Sequence, residues 1–291
     1  MPPEMNPSGH HREPWNSYEA PRNPPTHQPP GFNPSGTSRQ AQAVKHKEAP
    51  HPRTMPLLIR DGTAADLAAI TTIFLAAFAS EPLIARTHPH AAQYPSHPHL
   101  YYRRFFEARF WGPEQQILRV AVDAATDEPV AFAWFRRPWR AADAAARAAH
   151  EGPATLRFWL APPARAARAL AAWLWPCRSV DAVHGNAFAA MHHRVEARLV
   201  AADPRPPRRR DAWYLSTLAV DPAVQGQGAG SWLVRDALSR VVDPEGAACW
   251  LIGLEGVEPF YDRFGFREVD RANEGRLADW TGGAVMIRES S

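Results

Sequence analysis

The chain has 291 residues, and 33 Lys and Arg against 30 Asp and Glu leave a formal charge of +3, which excludes a strong single-sign field and with it nucleic acid as the default partner. At 45% hydrophobic and 22% charged residues the composition is that of a globular protein, yet its 30 prolines are roughly twice ordinary usage, so part of the chain is expected to stay unfolded. Two cysteines, Cys177 and Cys249, cannot build a disulfide framework, no run of about 18 apolar residues occurs, and the opening residues lack the apolar stretch of a secretory signal. The expectation is a soluble protein of a reducing compartment, cytoplasmic or nuclear, with no membrane partner.

Residues 1–54 hold 12 of the prolines and five histidines, with Trp15, Tyr18 and Phe32 scattered singly and without period. Such a segment cannot bury enough surface to offset its ordering entropy and reads as a disordered tail, in which His10 and His11 have no further ligands nearby. Order is expected from residue 55 on, starting with the strand Pro56-Leu57-Leu58-Ile59-Arg60. Asp61-Gly62-Thr63 then turns and caps a helix, Asp66 completes a capping box, and Leu67, Ile70, Phe74 and Phe78 share one helical face. Thr87 to His99, rich in Pro and His, reads as a loop, and Leu100 to Trp111 as a second helix. Gln116 to Asp123 and Val130 to Phe135 read as strands joined at Asp127-Glu128-Pro129.

Residues 138–210 interrupt this order. Ala141 to His150, Pro163 to Trp175 and Asn186 to Leu199 read as helices separated at Pro153, Pro162 and Pro176, together a helical insertion. Its histidines, His184, His192 and His193, are expected to be exposed, because no nearby acid completes a site, and no metal is expected. The run Arg205-Pro206-Pro207-Arg208-Arg209-Arg210 reads as solvated charge.

From Trp213 the pattern changes. Trp213 to Val220 is a β-rich strand stopped by Asp221-Pro222, followed by Gln225-Gly226-Gln227-Gly228-Ala229-Gly230 and then by helical spacing from Ser231 to Leu238. Strand, glycine turn and helix make an anion site: glycines let the backbone approach a ligand, and the helix start adds unsatisfied N–H donors and partial positive charge. A P-loop needs a Lys where the chain has Ser231-Trp232, and a dinucleotide fingerprint needs Gly where Ser231 stands. The remaining pattern, Q/R-x-x-G-x-G/A, is met by Gln225, Gly228 and Gly230. Beyond it lie an apolar strand from Ala247 to Leu254 and the segment Phe260-Tyr261-Asp262-Arg263-Phe264-Gly265-Phe266.

On these motifs the sequence resembles the GNAT superfamily of acetyl-coenzyme A dependent N-acetyltransferases, loosely over Leu57 to Phe135 and well over Trp213 to Ile287. The resemblance implies an α/β fold over 55–291 with a mixed, mostly antiparallel, splayed sheet flanked by helices and ornamented by the insertion. It implies that the main chain of Leu218, Ala219 and Val220 binds the pantetheine arm, and that Gln225, Gly226, Gln227, Gly228, Ala229, Gly230 and Ser231 hold the pyrophosphate of acetyl-CoA. Tyr261 would protonate the departing thiolate, and Glu255, at the end of the following strand, is the preferred base. Some relatives that act on protein lysines carry a glutamate where this chain has Tyr214, which departs from a histone-type mechanism. Cys249 reads as a small hydrophobe, so transfer is expected to be direct. Arg86, His88 and His90 are expected to shape the acceptor pocket for a small amine, an amino acid or a peptide terminus. The alternative is a non-catalytic acyl-CoA binding module that recruits protein partners.

Overall fold

The computed structural model describes residues 56–112, 115–137, 144–181, 187–205 and 209–290. The tail, His184, and Pro206 to Arg208 of the basic run lie outside them. In chain order the elements are β1 (Leu57–Asp61), α1 (Leu67–Ala77), α2 (Pro82–Thr87), α3 (His97–Phe110), β2 (Gln115–Asp123) and β3 (Pro129–Arg137). Next come α4 (Ala144–Glu151), α5 (Leu156–Leu174), α6 (Ala187–Ala201), β4 (Trp213–Val220) and α7 (Ala229–Ala237). The chain closes with β5 (Cys249–Gly253), α8 (Glu258–Asp262), β6 (Arg267–Arg271) and β7 (Ala284–Arg288). Among the described residues no helix is long and apolar enough to cross a membrane.

The strands form one open sheet in the order β1-β2-β3-β4-β5-β7-β6, antiparallel at every step except β4 with β5. Strand alternation sends side chains to both faces, and each face is covered. On one, α1 and α3 bury Ile70, Phe74 and Phe106 against Val120, Phe132 and Trp134, with the Phe106 and Trp134 rings stacked 5.6 Å apart. On the other, Leu233, Val234 and Ala237 of α7 pack on Phe135, Trp213, Leu215 and Leu251. A third cluster puts Met191, Val195 and Leu199 of α6 against Tyr214, Trp250 and Trp280.

The capping box at Thr63 and Asp66 forms as expected: the Thr63 N–H and hydroxyl both donate to Asp66 Oδ2. Elsewhere the boundaries moved. Thr87 to His99 is less of a loop than its composition suggests, because α2 starts at Pro82, where a proline at the first turn loses no bond, and α3 begins at His97. Helix α5 runs straight through Pro162 and Pro163, which had been expected to bound it. The carbonyls those prolines leave without amide donors belong to Phe158 and Trp159, which are exposed, so water can satisfy them.

Helix α7, whose start follows the glycine turn, is fixed to the sheet by charge as well as by packing. Arg119 on β2 donates from Nε to Asp236 Oδ2 at 2.9 Å, with side chains 10% and 9% exposed. Removing Asp236 leaves Arg119 only its exposed partner Asp61, so Asp236→Ala should lower unfolding stability by about 2 kcal/mol. Urea denaturation followed by circular dichroism measures it, and an unchanged midpoint would show that packing alone seats α7.

Candidate functional site

The site originates in the one parallel step of the sheet. β4 and β5 pair only at Trp213 with Cys249, Tyr214 with Trp250 and Leu215 with Leu251. Past Leu215, β4 follows β3 as far as Val220, while β5 follows β7 through Ile252 and Gly253, and the two strands part. At the parting point β4 carries a bulge: Trp134 faces Thr217 and Phe135 faces Leu215, leaving Ser216 unmatched. A bulge bends its strand and raises local twist. Three hydrogen bonds hold it: the Ser216 hydroxyl donates to Trp134 O at 3.0 Å, and Arg109 Nη1 of α3 donates to Ser216 Oγ and Thr217 Oγ1 at 3.0 and 3.1 Å.

Beyond the free edge of β4 the glycine turn is tied at its base. Asp221 N–H donates to Val130 O, the Asp221 carboxylate accepts from Ala223 N–H, and the Gln225 side chain donates to Val220 O at 3.0 Å. Gly226 and Gly228 take φ of 77° and 88°, conformations that disfavour other residues, and a Cβ at either would meet nothing within 4 Å. Their outward face is therefore an open cradle. In α7 the Trp232 N–H bonds back to Gly228 O, so the N–H groups of Ala229, Gly230 and Ser231 are the unpaired donors of the helix start. A Cβ on Gly230 would stand 3.3 Å from Val220 Cγ2 and 3.7 Å from Phe260 Cζ, which brings the turn against the residue preceding Tyr261. The cradle and its donors fit a diphosphate.

A cavity of about 540 Å³ fills the parting of the strands. Leu218, Leu251, Gly253 and Tyr261 line it together with Phe78, Tyr101, Phe105, Phe188 and Trp280, so its walls are mainly apolar and aromatic. Burial pushes the Tyr261 phenol above its ordinary range, so it keeps its proton at neutral pH. The one carboxylate in the lining, among the described residues, is Glu81. It caps α2, with Oε1 accepting from Leu83 N–H at 3.3 Å and from Trp280 Nε1 at 3.0 Å.

Several expected residues are placed differently. Glu255 is exposed in the turn after β5 and does not line the cavity: the strand ends at Gly253, and Gly256, at φ 75°, reverses the chain with Glu255 facing solvent. Arg86 does line the cavity, paired with Asp279 at 2.7 Å. His88 is buried instead behind it, its Nδ1 2.9 Å from Ser179 Oγ, and His90 is exposed. Tyr214 is a wall residue, 4.3 Å from the Trp250 ring, its phenol raised to about 12 by burial. Burial likewise raises the Cys249 thiol to about 12, so it holds no thiolate.

His192 corrects the reading of the insertion histidines. It is 7% exposed, lines the cavity and stacks 5.1 Å from Trp250. An acid does lie nearby, since ligand atoms of His192, His193 and Glu196 come within 4.8 Å of one another. Yet Arg136 Nη2 donates to His192 Nε2 at 3.1 Å, so a guanidinium faces the nitrogen a cation would need. The signal that could have found His192 is its place beside Met191, Val195 and Leu199 on the buried stripe of α6. Glu81 was missed because acid followed by proline reads only as a helix cap.

Burial holds His192 down to about 3, with Arg136 adding to the effect, and His88 and His150 down to about 4. In the unfolded chain these imidazoles take protons near 6.5. Between that value and 3 to 4 the unfolded state binds more protons, so stability is full above about pH 6.5 and is lost as pH falls through this window. Melting temperature should drop steadily from pH 6.5 to 4, with a shallower slope in His192→Gln; equal slopes would show that His192 does not contribute.

Residues 186–268 match the family model of the acetyltransferase (GNAT) domain, a match that begins at the head of α6. No curated protein sequence matches the chain. Among solved structures, a histone acetyltransferase HPA2 and related acetyltransferase from Corynebacterium glutamicum is 20% identical, covers 81% of this chain and 98% of its own, and has a TM-score of 0.48. A GNAT family acetyltransferase from Brucella melitensis in complex with acetyl-CoA is 17% identical over 73% of this chain and 84% of its own, with a TM-score of 0.35. A polyamine N-acetyltransferase from Drosophila melanogaster, which forms N-acetylagmatine, is 17% identical over 80% of this chain and 98% of its own, with a TM-score of 0.45.

Proposed function

We propose that this GNAT acetyltransferase, which uses acetyl-coenzyme A as co-substrate, moves the acetyl group directly onto an amine whose body is apolar or aromatic and whose nitrogen meets Glu81. The observation that carries the reading is the cavity in the parted sheet, where the protonated Tyr261 phenol and one carboxylate stand among aromatic walls. Acetyl-CoA supplies the acetyl group as a thioester. The main chain of Leu218, Ala219 and Val220, free on its β5 side, offers an edge to the pantetheine arm, and the amides from Gln225 to Ser231 hold the diphosphate.

Glu81 attracts the acceptor ammonium and takes its proton, which leaves the neutral nucleophile that acyl transfer requires. The Trp280 N–H and the Leu83 amide keep the carboxylate oriented while they occupy one of its oxygens. Tyr261 gives its phenolic proton to the sulfur as the C–S bond breaks, and the second proton, released from nitrogen as the amide forms, restores the phenol. The aromatic walls select acceptors that bring apolar surface and exclude water from the reacting atoms. Cys177 and Cys249 are free thiols, which suits a reducing cytoplasm.

Tyr261→Phe should lower kcat by about 100-fold while leaving acetyl-CoA affinity nearly unchanged. Thiol release from acetyl-CoA in the presence of an aromatic amine series provides the measurement, and an unaltered kcat rejects the acid role. Glu81→Gln preserves an acceptor for Trp280 and removes the charge. It should cut kcat/KM for amines by about 100-fold. Wild-type kcat/KM in that variant would move the base elsewhere.

A further inference from the structure

We infer that two copies of this chain pair antiparallel through α5, about a two-fold axis at the middle of the helix. This rests on surface pattern alone and is independent of the acetyl-transfer chemistry. α5 carries the spacing Leu-x-x-Trp-Leu twice, in Leu156-Arg157-Phe158-Trp159-Leu160 and Leu170-Ala171-Ala172-Trp173-Leu174, the two starting 14 residues apart, or two heptads. Leu and Trp at these positions fall on one helical face, and all six are between 48% and 79% exposed. Pro163, Ala166 and Ala167 continue the same stripe between the two segments, also exposed and small enough for close approach. No charged residue interrupts the stripe.

The opposite face of α5 is tied to its own chain through arginines. Arg157 donates to the carbonyls of Phe110 and Gly112, Arg168 donates to Arg104 O, and Arg104 donates to the carbonyls of Ala171 and Trp175. The helix is thus held rigidly with its apolar side outward, and Trp159 is already oriented by a 3.0 Å bond from Nε1 to Pro153 O. With about 150–250 Å² for a full aromatic side chain, the Leu and Trp residues of the stripe expose on the order of 800 Å². That exceeds the roughly 300–600 Å² of the largest patch on a typical monomer and meets the roughly 800 Å² each partner gives to a standard interface.

The leucine spacing decides which occupant fits. Reversal about residue 165 exchanges Leu156 with Leu174 and Leu160 with Leu170, so the leucine ridge meets itself, which is the self-complementarity an isologous interface demands. A lipid surface would call for a cationic rim, but two of the three arginines of α5 are bound on its inner face. The sequence of residues 1–54 has no apolar period that would match the stripe.

Sedimentation of the full chain from nanomolar to high-micromolar concentration should show a species of twice 32.4 kDa. Leu156→Lys and Leu174→Glu should each weaken self-association by about 100-fold, and mixing the two variants should restore it to within about 10-fold of wild type, because only an antiparallel pair brings the new charges together. Acetyl transfer reports that both variants are folded. Should they fail to fold, hydrogen exchange on the wild-type chain decides the matter, since amides of Leu156 to Leu174 must gain protection as concentration rises. A monomer at every concentration, a dimer indifferent to both substitutions, mixing without rescue, protection independent of concentration, or capture of the monomer by phosphatidylserine vesicles would each overturn the pairing.

Discussion

Everything chemical in this protein depends on β4 and β5 letting go of each other after three residue pairs. Parallel neighbours ordinarily continue side by side, and here continuation would close the cavity and occupy the edge of Leu218 to Val220. The separation is stabilised from both sides. β3 and β7 satisfy the other edges of the parting strands, and the unmatched Ser216 is pinned by Trp134 and Arg109. Parting costs unpaired backbone groups on each inner edge, a cost tolerable only where a ligand or water completes the bonds. The opening is thus both a gap in the sheet and its binding edge.

Burial holds the titratable rings and the thiol around that gap in their neutral forms, and its formal charge is carried by Arg86, Arg109, Arg136 and Glu81. Tyr214, Tyr261 and Cys249 are held protonated, and His192 is held neutral with Arg136 at its ring nitrogen. Against this background the Glu81 carboxylate is the single negative group of the lining among the described residues. A charge in a low-dielectric, aromatic enclosure acts more strongly on a partner than the same charge in water. The proposed preference for an amine with an apolar body rests on that environment.

The helices between β3 and β4 divide by what they bury. α6 contributes His192 and Phe188 to the cavity, whereas α5 turns its inner face to backbone carbonyls and its outer face to solvent. Arginine makes this possible, because its fork of donors can satisfy two carbonyls at once and anchor a helix that has little apolar surface to bury.

Local chemistry was legible in the amino-acid order. The capping box at Thr63 and Asp66, the strand Trp213–Val220, the glycine turn with its helix, and the buried character of Cys249 all follow from spacing and residue type, since each involves neighbours within a few positions. The helix start at Pro82 and the passage of α5 through Pro162 and Pro163 did not follow, because local propensity yields to solvation and to contacts made elsewhere in the chain. What only tertiary structure decided is which carboxylate and which ring reach the gap. Glu81 and Trp280 are bonded to each other across 199 positions, and no pattern of spacing can announce a meeting created by folding seven strands into one sheet. Order along the chain determined the glycine cradle, and the parting of two strands determined what stands opposite it.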